Sequence, residues 1–153
     1  RDVMGMQVTK QNWRMGAVFL SADPAAVDHE IALMRGRPSA EDPHLIQQIS
    51  MRVDTLDDLR VFHRRLRAEG YRIERVVNHA SAIGCYFFDP EGNRTEVFWV
   101  PGRPSWVPVA NPIGIEQTDE AVLADVDRLW NQVRHVPVGG TMADEPATLE
   151  ITR

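Results

Sequence analysis

Apolar and polar positions change their period several times along the chain, and each change marks an element. Met6-Gln-Val-Thr, Ala17-Val-Phe-Leu-Ser and Glu30-Ile-Ala-Leu-Met read as three strands, with turn chemistry at Ala22-Asp-Pro24. From Leu45 to Val53 the pattern alternates: Ile49, Met51 and Val53 point one way, Gln48, Ser50 and Arg52 the other. Asp54-Thr-Leu-Asp-Asp58 then opens a helix with capping side chains, and Leu56, Leu59, Phe62 and Leu66 recur at helical spacing until Gly70 stops it. Three more strands follow around Tyr71–Val77, Gly84–Phe88 and Arg94–Val100. Asp89-Pro-Glu-Gly-Asn93 joins the last two, and suits a type I turn closed by a left-handed glycine.

Residues 45–100 therefore spell strand, helix, strand, strand, strand. Residues 1–35 spell the end of a helix and three strands, because Arg1 to Met4 look like a last helical turn with Gly5 as its stop. The two stretches share texture. Phe19-Leu-Ser-Ala-Asp-Pro24 followed by His29-Glu-Ile-Ala-Leu answers Tyr86-Phe-Phe-Asp-Pro90 followed by Thr95-Glu-Val-Phe-Trp. A duplicated βαβββ module is the economical reading. The organisation expected is a first module over 1–35 lacking its first strand, a linker over 36–44, and a second module over 45–100. An arm, helix and tail over 101–153 complete it. The fold class is α+β, a cupped mixed sheet of duplicated modules. Four of the ten prolines fall between Pro101 and Pro112, which predicts an extended arm outside the sheet. Thr118 caps a last helix with Leu123, Val126, Leu129, Trp130 and Val133 on one side, and a frayed tail is expected from Gly139.

Composition narrows the class. The 153 residues are 43% apolar and 25% charged, the balance of a globular domain. Lys and Arg number 17 against 22 Asp and Glu, and this acidic balance argues against nucleic acid or an anionic membrane as partner. The single cysteine, Cys85, excludes an internal disulfide and a multi-thiolate zinc site; it fits a reducing, cytoplasmic setting. Cys85 reads as a small buried hydrophobe, and Arg60, Arg64, Arg65 and Arg67 as a solvated helix face. Trp106 is expected to pack on the sheet or on a partner subunit, and the arm and last helix suggest a homo-oligomer.

Of the five histidines, His44, His63 and His135 read as turn or surface residues. His29, His79, Tyr86 and Glu96 lie on or beside strands that the duplication would gather. Glu96 shares a strand face with Arg94 and Phe98, among large apolar residues. An ionised carboxylate there needs a partner, and spacing alone leaves a salt bridge to Arg94 or Arg52 and a metal ion level.

Tyr86-Phe-Phe-Asp-Pro-Glu-Gly-Asn-Arg-Thr-Glu-Val-Phe resembles the C-terminal signature of the vicinal oxygen chelate superfamily. Within it the likeness is to type I extradiol dioxygenases of the catechol 2,3-dioxygenase kind. It extends through Arg1-Asp-Val-Met-Gly-Met, His29-Glu-Ile-Ala-Leu and Ile49-Ser-Met-Arg-Val, over about residues 1–100. The resemblance implies metal-dependent cleavage of a catecholic ring beside its diol, with dioxygen as co-substrate. The ion implied is Fe(II), with Mn(II) or another divalent metal as alternatives, held by two histidines and a glutamate. Here the glutamate is Glu96, one family histidine is replaced by Gln48, and the other would lie upstream of Arg1. The acid–base histidine matches His29, a later substrate-side histidine matches His79, and Tyr86 matches the tyrosine near the reacting oxygens. Tyr86, Phe88 and Phe98 would line an apolar pocket. If His29 and Glu30 alternate on a strand, only one sees the cavity, and His29 is the residue expected there. Gln48 keeps two alternatives open: a non-redox isomerase or epimerase of glyoxalase type, or a small-molecule binding protein that has no metal.

Overall fold

The computed structural model describes residues 4–36 and 46–138. The helix end at Arg1–Val3, most of the 36–44 linker, His44 and the tail from Gly139 lie outside the described residues. The chain divides into two compact units, each taken here by itself: one of Arg1–Pro43, Ser105–Pro108 and Val133–Arg153, the other of His44–Pro104 and Val109–Gln132. The fold is α+β, with βαβββ architecture complete in the second unit.

In the first unit β1 (Gln7–Asn12), β2 (Ala17–Ser21) and β3 (Ile31–Met34) form an antiparallel sheet in that order. A bulge between Val8 and Lys10 resets the register, so that Lys10 stands opposite Phe19. β3 begins one residue later than the apolar pattern suggests, because Glu30 spends its backbone N–H on Leu20 and its carboxylate on the N–H of Ala22.

In the second unit β4 (Ile49–Val53) leads into α1 (Leu56–Ala68), followed by β5 (Ile73–Asn78), β6 (Ile83–Phe88) and β7 (Arg94–Trp99). The sheet order is β4-β7-β6-β5-β8, where β8 is Asn111–Pro112. β4 lies parallel to β7 and the other pairs are antiparallel. The proline-rich arm thus does enter the sheet: Pro112 is opposite Val77 and Asn111 opposite Asn78. Proline is tolerated because β8 is the edge strand and needs no ladder on its outer side.

Local chemistry explains the helix and the hairpin. Thr55 and Asp58 form a reciprocal capping box at the start of α1, and Asp57 and Asp58 sit where the helix dipole favours negative charge. At its end Tyr71 donates its N–H to the carbonyl of Leu66 while Gly70 takes φ +77°. In the β6–β7 hairpin Asp89 accepts from the N–H groups of Glu91 and Asn93, and Gly92 takes the expected left-handed conformation at φ +85°.

One face of this sheet carries Ile83, Cys85, Phe87 and Val97, and packs on Leu56, Leu59 and Leu66 of α1. Ile115 and the first half of α2 (Asp119–Val133) close the same core through Val122 and Val126. Leu123, expected on the apolar side of that helix, is 37% exposed; Val122 takes the place beside Val126 and Leu129. Phe62 likewise sits at the rim of α1, at 37% exposure. Arg60 departs furthest from expectation. It is buried, donating to the carbonyls of Ile115 (2.6 Å) and Gln117 (2.8 Å) and pairing with Asp57 and Asp119. His63, placed by its neighbours on a solvated face, is largely covered and bonds Glu116 at 2.8 Å. Among the described residues no helix is long and apolar enough to cross a membrane.

Candidate functional site

Strand register assembles the site on the sheet face opposite α1. Ser50 on β4, Glu96 on β7 and Tyr86 on β6 are direct cross-strand partners, so their side chains project together. Gln48, just ahead of β4, joins them. Glu96 and Tyr86 are both buried, at 6% and 5% exposure.

Among the described residues no guanidinium is bonded to the carboxylate of Glu96. Its Oε2 accepts from Ser50 Oγ at 2.6 Å and from Gln48 Nε2 at 3.0 Å. Gln48 in turn accepts at Oε1 from Arg94 Nη1, 2.8 Å away, while Arg94 Nε pairs with Glu74 at 2.7 Å. The salt bridge to Arg94 weighed from sequence exists only through an intervening amide. Arg52 is not among the groups bonded to Glu96. The two bonds also define the amide: Oε1 faces a donor-only guanidinium and Nε2 an acceptor-only carboxylate.

His79 approaches from a strained turn. Asn78 Oδ1 accepts from the N–H of Ala80, and Ala80 takes a left-handed φ of +65° that glycine normally supplies. The ring then spans Val109 and Tyr86, with Nδ1 2.5 Å from the Val109 carbonyl and Nε2 2.9 Å from the Tyr86 hydroxyl. A carbonyl only accepts, so Nδ1 carries hydrogen, and in the neutral ring Nε2 accepts the phenolic proton of Tyr86. Glu96 Oε1 lies 3.9 Å from the same Nε2. Burial, then the charge of Glu96 and a hydrogen bond to it, hold the Tyr86 phenol far above its ordinary range, so it is a proton donor at neutral pH. One phenolic proton therefore serves two neighbouring acceptors, His79 and Glu96.

The expected apolar lining is not what surrounds these groups. The Tyr86 ring is flanked by the guanidinium carbons of Arg94 at 4.6 Å and Arg75 at 4.9 Å, and Phe88 carries Arg72 at 3.7 Å. Phe98 is half-buried on the same strand face as Glu96. Aromatic faces here are partnered with cations, which suits an anionic oxygen better than a plain hydrocarbon.

His29 belongs to the first unit, in the loop ahead of β3, so strand alternation does not govern it. Its Nδ1 is 2.9 Å from Asp28 Oδ1 and its ring meets Phe19 edge-on at 4.9 Å.

A divalent cation fits part of this arrangement. Glu96 offers a buried carboxylate hydrogen-bonded by neutral donors, a situation that a cation relieves. Gln48 presents its amide nitrogen to Glu96, so its Oε1 would reach a shared ion only by turning over and losing both of its bonds. Among the described residues no three His, Cys, Asp or Glu side chains group as a ligand set.

Residues 1–97 match the model of the Glyoxalase/Bleomycin resistance protein/Dioxygenase superfamily. The chain belongs to this superfamily. No curated protein matches it. Solved structures similar to it include a glyoxalase/bleomycin resistance protein/dioxygenase from Nocardioides, 18% identical over 66% of this chain and 74% of that one, with a TM-score of 0.34. Another is a glyoxalase family protein from Bacillus anthracis, 20% identical over 65% of this chain and 76% of that one, with a TM-score of 0.30. Members of the superfamily include dioxygenases and glyoxalases, and divalent metals are typical of them.

Several site residues escaped the sequence reading. Ser50 was visible only as a polar alternate on β4, yet register places it against Glu96. Gly84 and Arg75 carry no motif, and their roles come from cross-strand neighbours.

Proposed function

We propose that the protein is a metal-dependent extradiol-type dioxygenase that opens a catecholic ring beside its diol, using dioxygen. What supports this is the buried Glu96 carboxylate, bonded by neutral groups and adjoining a Tyr86–His79 pair that can pass a proton. Glu96 would hold the ion, with Gln48 once its amide is turned. Fe(II), or Mn(II), would supply the binding and activation of dioxygen next to the diol. The chain's own residues supply the rest. His79 Nε2, kept as an acceptor by the Nδ1 bond to Val109, takes a diol proton directly or through Tyr86. Arg75 and Arg94, over the Tyr86 ring, favour the ionised catechol that results.

The test is anaerobic loading of the protein with Fe(II), followed by metal analysis and oxygen uptake on 3-substituted catechols. Iron bound near one equivalent and uptake lost in Glu96→Gln support the reading. Iron that does not bind, with no uptake, overturns it.

A second reading has its own observation. Glu96 already accepts hydrogen bonds from Gln48 and Ser50, and Gln48 is itself bonded by Arg94, so the same site would hold a hydroxylated aromatic ligand without a metal. Catechol binding by calorimetry in metal-free protein, unaffected by chelator, favours that reading.

A further inference from the structure

We propose that Arg94 is a positioning residue for the Glu96 site: it holds the Gln48 amide with Nε2 toward Glu96, and thereby sets how tightly a divalent cation is held there. The inference deepens the function proposed above and rests on its reading that Glu96 and a turned Gln48 would hold the ion.

Both ends of the Gln48 amide are engaged. Nε2 donates to Ser50 Oγ at 2.9 Å and to Glu96 Oε2 at 3.0 Å, and Oε1 accepts from Arg94 Nη1 at 2.8 Å. A guanidinium only donates and an ionised carboxylate only accepts, so one of the two amide orientations satisfies both neighbours and the other satisfies neither. Turned over, Oε1 would face the Glu96 oxygen, a repulsion that a cation between them removes. On the far side Nε2 would face Nη1 of Arg94, donor against donor, and the cation does nothing there. The cost of turning the amide is therefore set by Arg94, not by the carboxylate.

Arg94 is itself held. Its side chain is 13% exposed, its Nε pairs with Glu74 Oε2 at 2.7 Å, and its guanidinium carbon lies 4.6 Å from the centre of the Tyr86 ring. Glu74 on β5 and Tyr86 on β6 thus fix the planar fork, and the fork fixes the amide. A guanidinium also opposes a nearby cation by charge alone, and Arg75 gives the measure of that part. Its guanidinium carbon lies 4.9 Å from the same ring, and among the described residues no hydrogen bond joins it to Gln48.

The test is Mn(II) binding by the full chain, with free ion counted by electron paramagnetic resonance at fixed pH and ionic strength. Arg94→Met is expected to lower the Kd for Mn(II) about tenfold or more, the size of a coupling within one hydrogen-bond network. Arg75→Met is expected to lower it clearly less. Loss of structure does not produce a gain in affinity, so an arginine with a merely structural role would not give this result. Should Arg94→Met not fold, Arg94→Gln decides with the same expectation, because its amide can accept from a turned Gln48. Mn(II) held by wild type and no tighter in Arg94→Met, or tightened equally by Arg75→Met, overturns the proposal and leaves the function proposed above standing. Mn(II) bound by Arg94→Met but not by wild type supports the proposal and counts against that function. Mn(II) bound by neither overturns both.

Discussion

The Cβ that Gly84 lacks would stand 2.2 Å from Oε1 of Glu96 and 3.0 Å from Cε2 of Tyr86. Gly84 is opposite Phe98 on the neighbouring strand, so the absent side chain leaves the space into which the carboxylate folds. Glu96 cannot simply swing aside, because Ser50 and Gln48 hold its other oxygen. Gly84→Ala is expected to destabilise the protein by about 1–3 kcal/mol through overpacking. It should also weaken whatever binds at Glu96. Urea unfolding together with ligand or metal titration checks both, and an alanine variant that is wild-type in each refutes the steric argument.

Arg60 closes the second unit by satisfying two carbonyls of the segment before α2. Arg60→Met leaves the oxygens of Ile115 and Gln117 without that donor and Asp119 without its cation. The expected loss is about 2–4 kcal/mol in denaturant unfolding. Arg60→Lys should recover only part of it, since an ammonium cannot reproduce the planar fork.

Cys85 should be inert in the folded protein. Its side chain is fully buried in the α1 core, and burial, followed by the charge of Glu96, pushes its thiol up to about 11. A thiol of that pKa has little thiolate near neutrality. A disulfide reagent at about pH 8 is expected to label nothing in native protein and one thiol per chain in urea, given the ordinary cysteine pKa near 8.5.

Asp28 makes stability depend on acid. Burial alone would raise its carboxyl, but the hydrogen bond to His29 and the charge of Lys10, whose ammonium pairs with it, outweigh burial and hold the group at about 2. This folded-state pKa lies below the ordinary carboxylate value, so its contribution is complete above about pH 4 and disappears as pH falls toward 2. The stabilisation at stake is at most on the order of 2 kcal/mol. Thermal unfolding followed from about pH 5 to about pH 2 should show a steeper decline in wild type than in Lys10→Met/Asp28→Ala, the two profiles converging at the acid end.

Elements with local causes were legible from the chain. The capping box at Thr55–Asp58, the glycine stop at Gly70 and the Asp89–Asn93 hairpin turn are satisfied by bonds within a few residues of one another. Alternation also assigned Glu96, Arg94 and Phe98 to one face, because the pleat follows from covalent geometry. What misled was environment. Arg60 shares its composition with Arg64, Arg65 and Arg67, and only the segment folding back from Ile115 to Asp119 distinguishes it. Val122 and Leu123 are equally apolar, and a shift of one position along α2 decides which is covered.

By itself the sequence determined the order and type of the elements other than β8, the duplicated texture, and the residue types able to do chemistry, since these depend on side chains and on contacts near in the chain. Only the tertiary structure decided how those residues are partnered. Glu96 is linked to Arg94 through Gln48, the phenolic proton of Tyr86 lies between His79 and Glu96, and Asp28 with Lys10 stands behind His29. Each of these is a contact between strands or loops, whose distance is set by register, a bulge or a turn. A hydrogen bond is decided by tenths of an ångström that residue spacing alone does not carry.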